Sequence, residues 1–193
     1  GAIPLCMLDE FSIPPHLIDR KVTRMKIISP SNLAVDFGKT LKPHEFISML
    51  RREVLDDFLR RCAESCGATL IQGLVTNVVV PLTNSSSYVI QYNKNNSQKS
   101  LAVDVVIGAE GASSKVAKAI KAGDYTCAIV FQERIKLPEE KMEYYENLAE
   151  MYVGNDVSPD FYAWVFPKCD HVAVGTGTVC SKKDIKMFQH GIR

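Results

Sequence analysis

Tyr162, Trp164 and Phe166 stand two residues apart and run directly into Pro167. In an extended strand, residues two apart share a face. The three rings then form one flat apolar wall, with roughly 150–250 Å² contributed by each ring. Trp164 is the only tryptophan in the chain. Two readings of the wall stand side by side. It is one side of an ordinary sheet core, or it lines a site for a flat or long apolar ligand. Tyr and Trp suit the second, because each brings a polar tip to an apolar surface. A short turn follows, then a second strand that ends in Gly175-Thr176-Gly177.

A second constellation lies at Val103 to Ser114. Here a strand breaks into Gly108-Ala109-Glu110-Gly111 and Ser114 opens a short helix. Gly108 and Gly111 permit a tight turn and close approach of a ligand. A helix start offers unpaired N–H groups and a positive dipole end, which suits a pyrophosphate. Arg52 carries the planar fork of donors that fits a phosphate, and Arg51 offers the same chemistry one residue earlier. The other reading of Arg52 is a solvated charge on a helix face. No Ser-His-Asp set, pair of catalytic carboxylates or His-Glu-x-x-His site is visible. His171 beside Asp170 reads as a turn residue rather than a base, so no catalytic residue is named.

These residues need a scaffold, and 193 residues suffice for one domain with a sizeable core. Apolar content of 46% and charged content of 23% are those of a globular protein. A net charge of +1 gives no electrostatic footprint for nucleic acid. No segment approaches the ~20 apolar residues of a membrane span. Six cysteines occur without a zinc-type Cys-x-x-Cys pair, so reduced thiols are expected and no metal. Cys62 and Cys66 share a helix face, and Cys169-x-His171 is a weak ligand pattern. Asn84-Ser85-Ser86 is a glycosylation sequon, which matters only in a secreted protein.

Periodicity places the elements. Val22 to Ile28 alternates as a half-exposed strand and pairs with 33–37 through Ser29-Pro30-Ser31-Asn32. From His44 to Cys66, Phe46, Leu50, Val54, Phe58 and Cys62 fall on one helical stripe, with Gly67 past the end. Asp56→Arg60 and Asp57→Arg61 are favourable pairs on its outer face. Strands are expected at 68–71, 74–80, 88–92 and 101–107, with a turn over 93–97, then a short helix over 114–121. A second sheet follows from 128–135, 149–153, 161–166 and 172–178, and a helix begins at Lys182.

The pattern Pro159-x-x-Tyr162-x-Trp164-x-Phe166-Pro167 followed by Gly175-x-Gly177 resembles the substrate-site motif of the geranylgeranyl reductases, flavoproteins that saturate isoprenoid double bonds. The segments GAIPLCM, RREVLDDFLRRCAESCGATLI and FQERIKLPEEKMEYYENLAEMYVGNDV extend the resemblance over nearly the whole chain, on the plant plastid branch. The resemblance implies an α/β (mixed α+β) fold: part of a glutathione-reductase-like FAD domain and an antiparallel substrate sheet. It assigns 1–43 and 125–181 to the sheet, 44–124 to the FAD domain and 182–193 to a further helix. FAD and NADPH are the implied cofactors. Arg52, Gly108, Glu110, Gly111 and Ser114 are the implied cofactor contacts, with Glu110 standing where the family usually has Asp. Tyr162, Trp164, Phe166, Pro167, Gly175 and Gly177 are the implied substrate contacts. A prenyl diphosphate or prenylated chlorophyll is the implied substrate, thylakoid-associated proteins are the implied partners, and the chloroplast is the implied compartment. The family's upstream Gly-x-Gly-x-x-Gly turn and later flavin motif are not in the sequence, so weak FAD binding by this stretch alone is expected. A related flavin monooxygenase and a non-catalytic remnant are the alternative readings.

Overall fold

The structure, a computed structural model, describes residues 1–83 and 86–192. The sequon begins at Asn84 and lies outside them. In chain order come strand β1 (Ala2–Ile3), helix α1 (Leu5–Glu10), β2 (Arg20–Val22), β3 (Arg24–Ile28), β4 (Ala34–Asp36), β5 (Ile47–Met49) and helix α2 (Arg52–Ser65). Next are β6 (Leu74–Val79), β7 (Tyr88–Lys94), β8 (Ser97–Val103) and α3 (Lys115–Ala119). The remaining elements are β9 (Ile129–Lys136), α4 (Glu139–Tyr144), β10 (Leu148–Gly154), β11 (Ser158–Pro167), β12 (His171–Thr178) and α5 (Ile185–Ile192). Among the described residues, no helix is long and apolar enough to cross a membrane.

Contacts divide the chain into two units, one of residues 1–63 with 128 onward and one of residues 64–127. The first holds a six-stranded sheet in the order β4-β3-β10-β11-β12-β9. All its pairs are antiparallel except β3 with β10. The β3–β4 hairpin forms as its alternation requires, and Asn32 closes the turn at φ 59°.

Strict alternation along β11 and β12 sorts the two faces. Val165, Val172 and Val174 point to one side, where they pack with Met142, Ile135, Tyr145 and Tyr152. Trp164 pairs with Gly175 and Phe166 with Ala173 on the other. Phe166 there meets a second buried cluster of Val22, Met49 and Ala149.

The helix expected from His44 begins only at Arg52. Residues 47–49 are the central strand of a small sheet, β1-β5-β2. Ser48, Met49 and Leu50 are wholly buried there. A short apolar run buried on both sides satisfies a helical stripe as well as a strand, and the tertiary setting decides. Leu50 and Leu55 join Ile3, Ile13 and Leu17 in one core. Residues 44–63 therefore group by contact with the first unit. Arg61 pairs with Asp57 as expected, but Asp56 turns back to Arg52 and Arg60 reaches Asp57. Gly67 ends the helix at φ 97°.

The second unit is a meander, β6-β7-β8, with α3. Asn95 and Asn96 both take positive φ, so a two-residue turn suffices. This lengthens β7 to Lys94 and starts β8 at Ser97, earlier than the expected Leu101. Residues 68–71 and 104–107 do not enter a sheet.

Candidate functional site

The aromatic wall forms. Tyr162 and Trp164 have ring centroids 5.7 Å apart, and Trp164 and Phe166 6.1 Å apart. Phe161 joins them, stacked on Tyr162 at 4.8 Å, a member that spacing two could not reveal. Its place is fixed by Ser158, whose Oγ donates to the Gly177 carbonyl at 2.8 Å and accepts from the Phe161 N–H at 2.9 Å. A Cβ added at Gly177 would lie 2.8 Å from the Phe161 ring. The corresponding atom at Gly175 would lie 2.4 Å from Trp164 Cζ2. The two glycines thus act as seats for rings. Pro167 ends the row, fully buried against the Val172 position.

Trp164 is 8% exposed, so much of its surface is core. Its indole Nε1 donates to Gln132 Oε1 at 3.3 Å. Gln132, directly across β12, also lines a small pocket of about 80 Å³ at the Phe166 end of the wall. Arg51, Arg52, Arg134 and Lys168 line the same pocket, with His171 beside them. Each guanidinium has a carboxylate partner: Arg51 with Asp19 at 3.2 Å, Arg52 with Asp56 at 2.9 Å, Arg134 with Glu53 at 3.3 Å. Lys168 has none among the described residues. Its Nζ donates to the Gly1 carbonyl at 2.8 Å and touches Met49 Sδ at 3.6 Å. Lys168 is 4% exposed, and burial pushes its ammonium below the ordinary lysine range. Burying a cation is costly, and the Asp19 charge offsets only part of that cost. The pocket is therefore suited to an anionic group.

Arg20 shapes the nearby turn by donating to the carbonyls of Lys168 and Cys169 at 2.9 and 2.8 Å. In that turn Cys169 Sγ, Asp170 Oδ1 and His171 Nδ1 lie within 4.8 Å of one another. The thiol donates to Asp170, and burial raises the thiol above its ordinary range. Hydrogen bonds from His171 and then Cys169 hold the Asp170 carboxyl down at about 2.

The 108–114 turn takes the expected path, but its donors are already used. Glu110 accepts from Lys115 N–H at 3.0 Å, Val116 N–H at 3.3 Å and the Ser114 hydroxyl at 2.5 Å. Ser114 Oγ accepts from Ala117 N–H at 3.0 Å. The helix start expected to offer open amides is thus capped by this chain's own side chains. The Ser114 hydroxyl, followed by those amides, holds the Glu110 carboxyl below its usual range. Gly108 packs so closely that an added Cβ would lie 3.0 Å from Val116 Cβ, and Gly111 turns at φ 77°. This turn and Arg52 belong to different units.

A larger cavity, about 520 Å³, opens on the opposite face of the six-stranded sheet, between Ile135, Val165, Val174 and Ile192. Its tyrosines are spent on structure. Tyr144, Tyr145 and Tyr152 all donate to buried Glu150, at 2.9, 3.2 and 2.9 Å. Burial, then the Glu150 charge, raises Tyr145 and Tyr152 far above the ordinary phenol range. Glu140 and Lys141 also line this cavity.

Residues 128–190, which carry the wall, match the family described as geranylgeranyl reductase catalytic domain. The whole chain is 61% identical to the chloroplastic geranylgeranyl diphosphate reductase of Nicotiana tabacum, covering 43% of that protein. It is 60% identical to the geranylgeranyl diphosphate reductase of Synechocystis, covering 49% of it. The chain thus spans less than half the length of these curated relatives. A crystal structure titled as a geranylgeranyl bacteriochlorophyll reductase-like protein from Thermoplasma acidophilum superposes with a TM-score of 0.77 at 19% identity, over 99% of this chain and 50% of that one. This likeness establishes the mixed α/β fold.

Proposed function

We propose that this chain, which by sequence belongs to the geranylgeranyl reductase family, supplies the substrate sheet of a flavin-dependent reductase that saturates prenyl double bonds. In this reading FAD is the flavin, NADPH reloads it, and the compartment is the chloroplast, as the names of the plant relatives suggest. The observation that carries the reading is the continuity of the aromatic wall with the cationic pocket through Phe166. A long apolar chain with an anionic head matches both parts. A prenyl diphosphate has that chemistry, and it is favoured over a prenylated chlorophyll by the buried Lys168, whose ammonium has no carboxylate partner within 4 Å among the described residues.

The anion-sized pocket beside Lys168 and Arg52 would take a flavin phosphate as well as a prenyl head group, whereas the amides of the 108–114 turn are already taken by Glu110 and Ser114. When bound, a reduced flavin supplies the hydride that an alkene reduction needs. This chain's own contribution is to bind and to exclude water. Tyr162, Trp164, Phe161 and Phe166 hold the hydrocarbon at about 25 cal/mol per Å² of apolar surface removed from water. Gln132 fixes the indole, and Lys168 neutralises the head group.

Trp164, the sole tryptophan, gives a direct test by fluorescence titration. Geranylgeranyl diphosphate should quench it at lower concentration than geranylgeraniol, which lacks the anion. Lys168→Met should remove that difference. If Lys168→Met instead strips flavin and leaves the difference intact, the pocket serves the flavin phosphates. Absence of quenching by either prenyl compound overturns the wall as a substrate site.

A further inference from the structure

We infer that Gln132 is a specificity-determining residue: its amide nitrogen donates to the anionic head group held beside Lys168, while its carbonyl oxygen holds the Trp164 indole. The inference rests on the reductase reading above. It deepens that reading by joining the aromatic wall and the cationic pocket in one side chain.

The register of three strands brings Gln132 to the wall. Trp164 on β11 stands opposite Gly175 on β12, and Gly175 stands opposite Gln132 on β9. Directly opposed residues share a face of the sheet. Two strand spacings, roughly 10 Å, separate the Trp164 and Gln132 backbones. The indole crosses that distance because Gly175 has no side chain, for a Cβ there would lie 2.4 Å from Cζ2. Nε1–H then reaches Gln132 Oε1 at 3.3 Å. The next row repeats the pattern, with Phe166, Ala173 and Arg134 in line. Gln132, Arg134, Phe166 and Ala173 all line the pocket, so small residues on β12 separate its rings from its polar side chains.

Hydrogen-bond chemistry assigns the two ends of the Gln132 amide. An indole N–H is a donor only, so it takes the oxygen and fixes which branch is nitrogen. Nε2 carries two N–H donors, and neither has a partner among the described residues. The cations of the pocket are engaged: Arg51, Arg52 and Arg134 each hold a carboxylate, and Lys168 holds the Gly1 carbonyl. Gln132 thus offers a ligand in the pocket two unpaired donors. It is exposed, and being neutral it needs no counterion. Hydrogen bonds to ionised oxygens are stronger than those between neutral groups. The amide therefore favours a diphosphate over the hydroxyl of a free prenol. Because one planar group makes both contacts, a head group on Nε2 also fixes the oxygen beneath the indole.

The test compares geranylgeranyl diphosphate with geranylgeraniol by calorimetric titration, beside the Trp164 emission of the free protein. Gln132→Met keeps roughly the size of the side chain and removes both polar atoms. It should weaken binding of the diphosphate by about 10–100-fold, the usual effect of losing a hydrogen bond to a charged group. Binding of geranylgeraniol should change far less. Gln132→Glu keeps an acceptor for the indole and replaces the donor by a like charge. It should leave the Trp164 emission maximum in place and still lose the preference for the diphosphate. If Gln132 only holds the ring, Gln132→Met shifts the emission and weakens both ligands alike, and that result overturns the proposal. So does a Gln132→Glu protein with the wild-type preference, which stays informative if Gln132→Met fails to fold. Loss of flavin from the loaded Gln132→Met protein, with the prenyl preference unchanged, also overturns it and gives the pocket to flavin phosphates. An unaltered protein that binds both prenyl compounds equally, or neither, sinks the substrate reading itself and the inference with it.

Discussion

The Trp164 indole lies over Gly175, so closely that a single methyl group there would sit 2.4 Å from Cζ2. Gly175→Ala must therefore move the ring or the strand. Inserting a carbon into so tight a contact costs typically about 1–3 kcal/mol. We expect a lower melting temperature and a red-shifted Trp164 emission, since the ring loses its seat and gains water. Unchanged emission with unchanged melting would mean that the ring does not rest on this glycine.

Trp164 serves two ends, and its substitutions should separate them. Trp164→Ala should cost about 3–5 kcal/mol of stability, as for a large buried ring. Trp164→Phe keeps most of the apolar surface and loses the 3.3 Å bond to Gln132. That bond contributes roughly 0.5–1.5 kcal/mol. In the loaded protein we expect Trp164→Phe to raise KM for the prenyl substrate while NADPH still reduces the flavin at the normal rate. A collapsed melting temperature with KM unchanged would make Trp164 a core residue only.

The wall was legible because its chemistry lies in one segment with period two. The pocket was not. Arg51, Arg52, Gln132, Arg134, Lys168 and His171 arrive from separate elements, and no local pattern says that they converge. Arg52 was visible as a phosphate-binding type, but not its neighbours across β12 and β9. Phe161 escaped because the Ser158 bridge seats it against Gly177, which strict alternation does not foresee. The helix from His44 misled for a related reason. Phe46 and Leu50 continue the helical stripe by coincidence of spacing, while Ser48 and Met49 are buried as strand residues. Elements defined by local turns, such as β3–β4 and the α2 end at Gly67, were placed correctly.

Lys168 predicts a pH effect with a definite sign. Burial lowers its pKa in the folded state relative to the unfolded chain. Between the two values the unfolded chain binds more protons, so stability rises with pH there. Below the folded value the desolvation cost is paid in full. Lys168→Met removes the buried charge, so it should be neutral or stabilising near pH 7. It should also flatten the stability curve on the alkaline side. Denaturant melts of both proteins from pH 7 to 10 measure this. A Lys168→Met protein that is clearly less stable at pH 7 would mean that the contact with the Gly1 carbonyl outweighs the desolvation.

Glu110 makes the last prediction, because it occupies amides that a phosphate would use. Its carboxylate accepts from Lys115 and Val116 N–H, and Ser114 anchors it. Asp at this position is one methylene shorter and cannot span the same distance from the Glu110 backbone. Glu110→Asp should then free amides at the start of α3. Two outcomes follow together. The unit of residues 64–127 should melt earlier, with the loss vanishing at low pH, since a depressed carboxyl pKa stabilises only above the ordinary carboxyl range and loses its effect as pH falls. The loaded protein should also hold flavin more tightly after dialysis, because a bound phosphate can take the vacated donors. Glu110→Ala separates the two effects, for it frees the amides without a new carboxylate nearby. If neither variant changes flavin retention while both lower the melting temperature, Glu110 is a helix cap and nothing more.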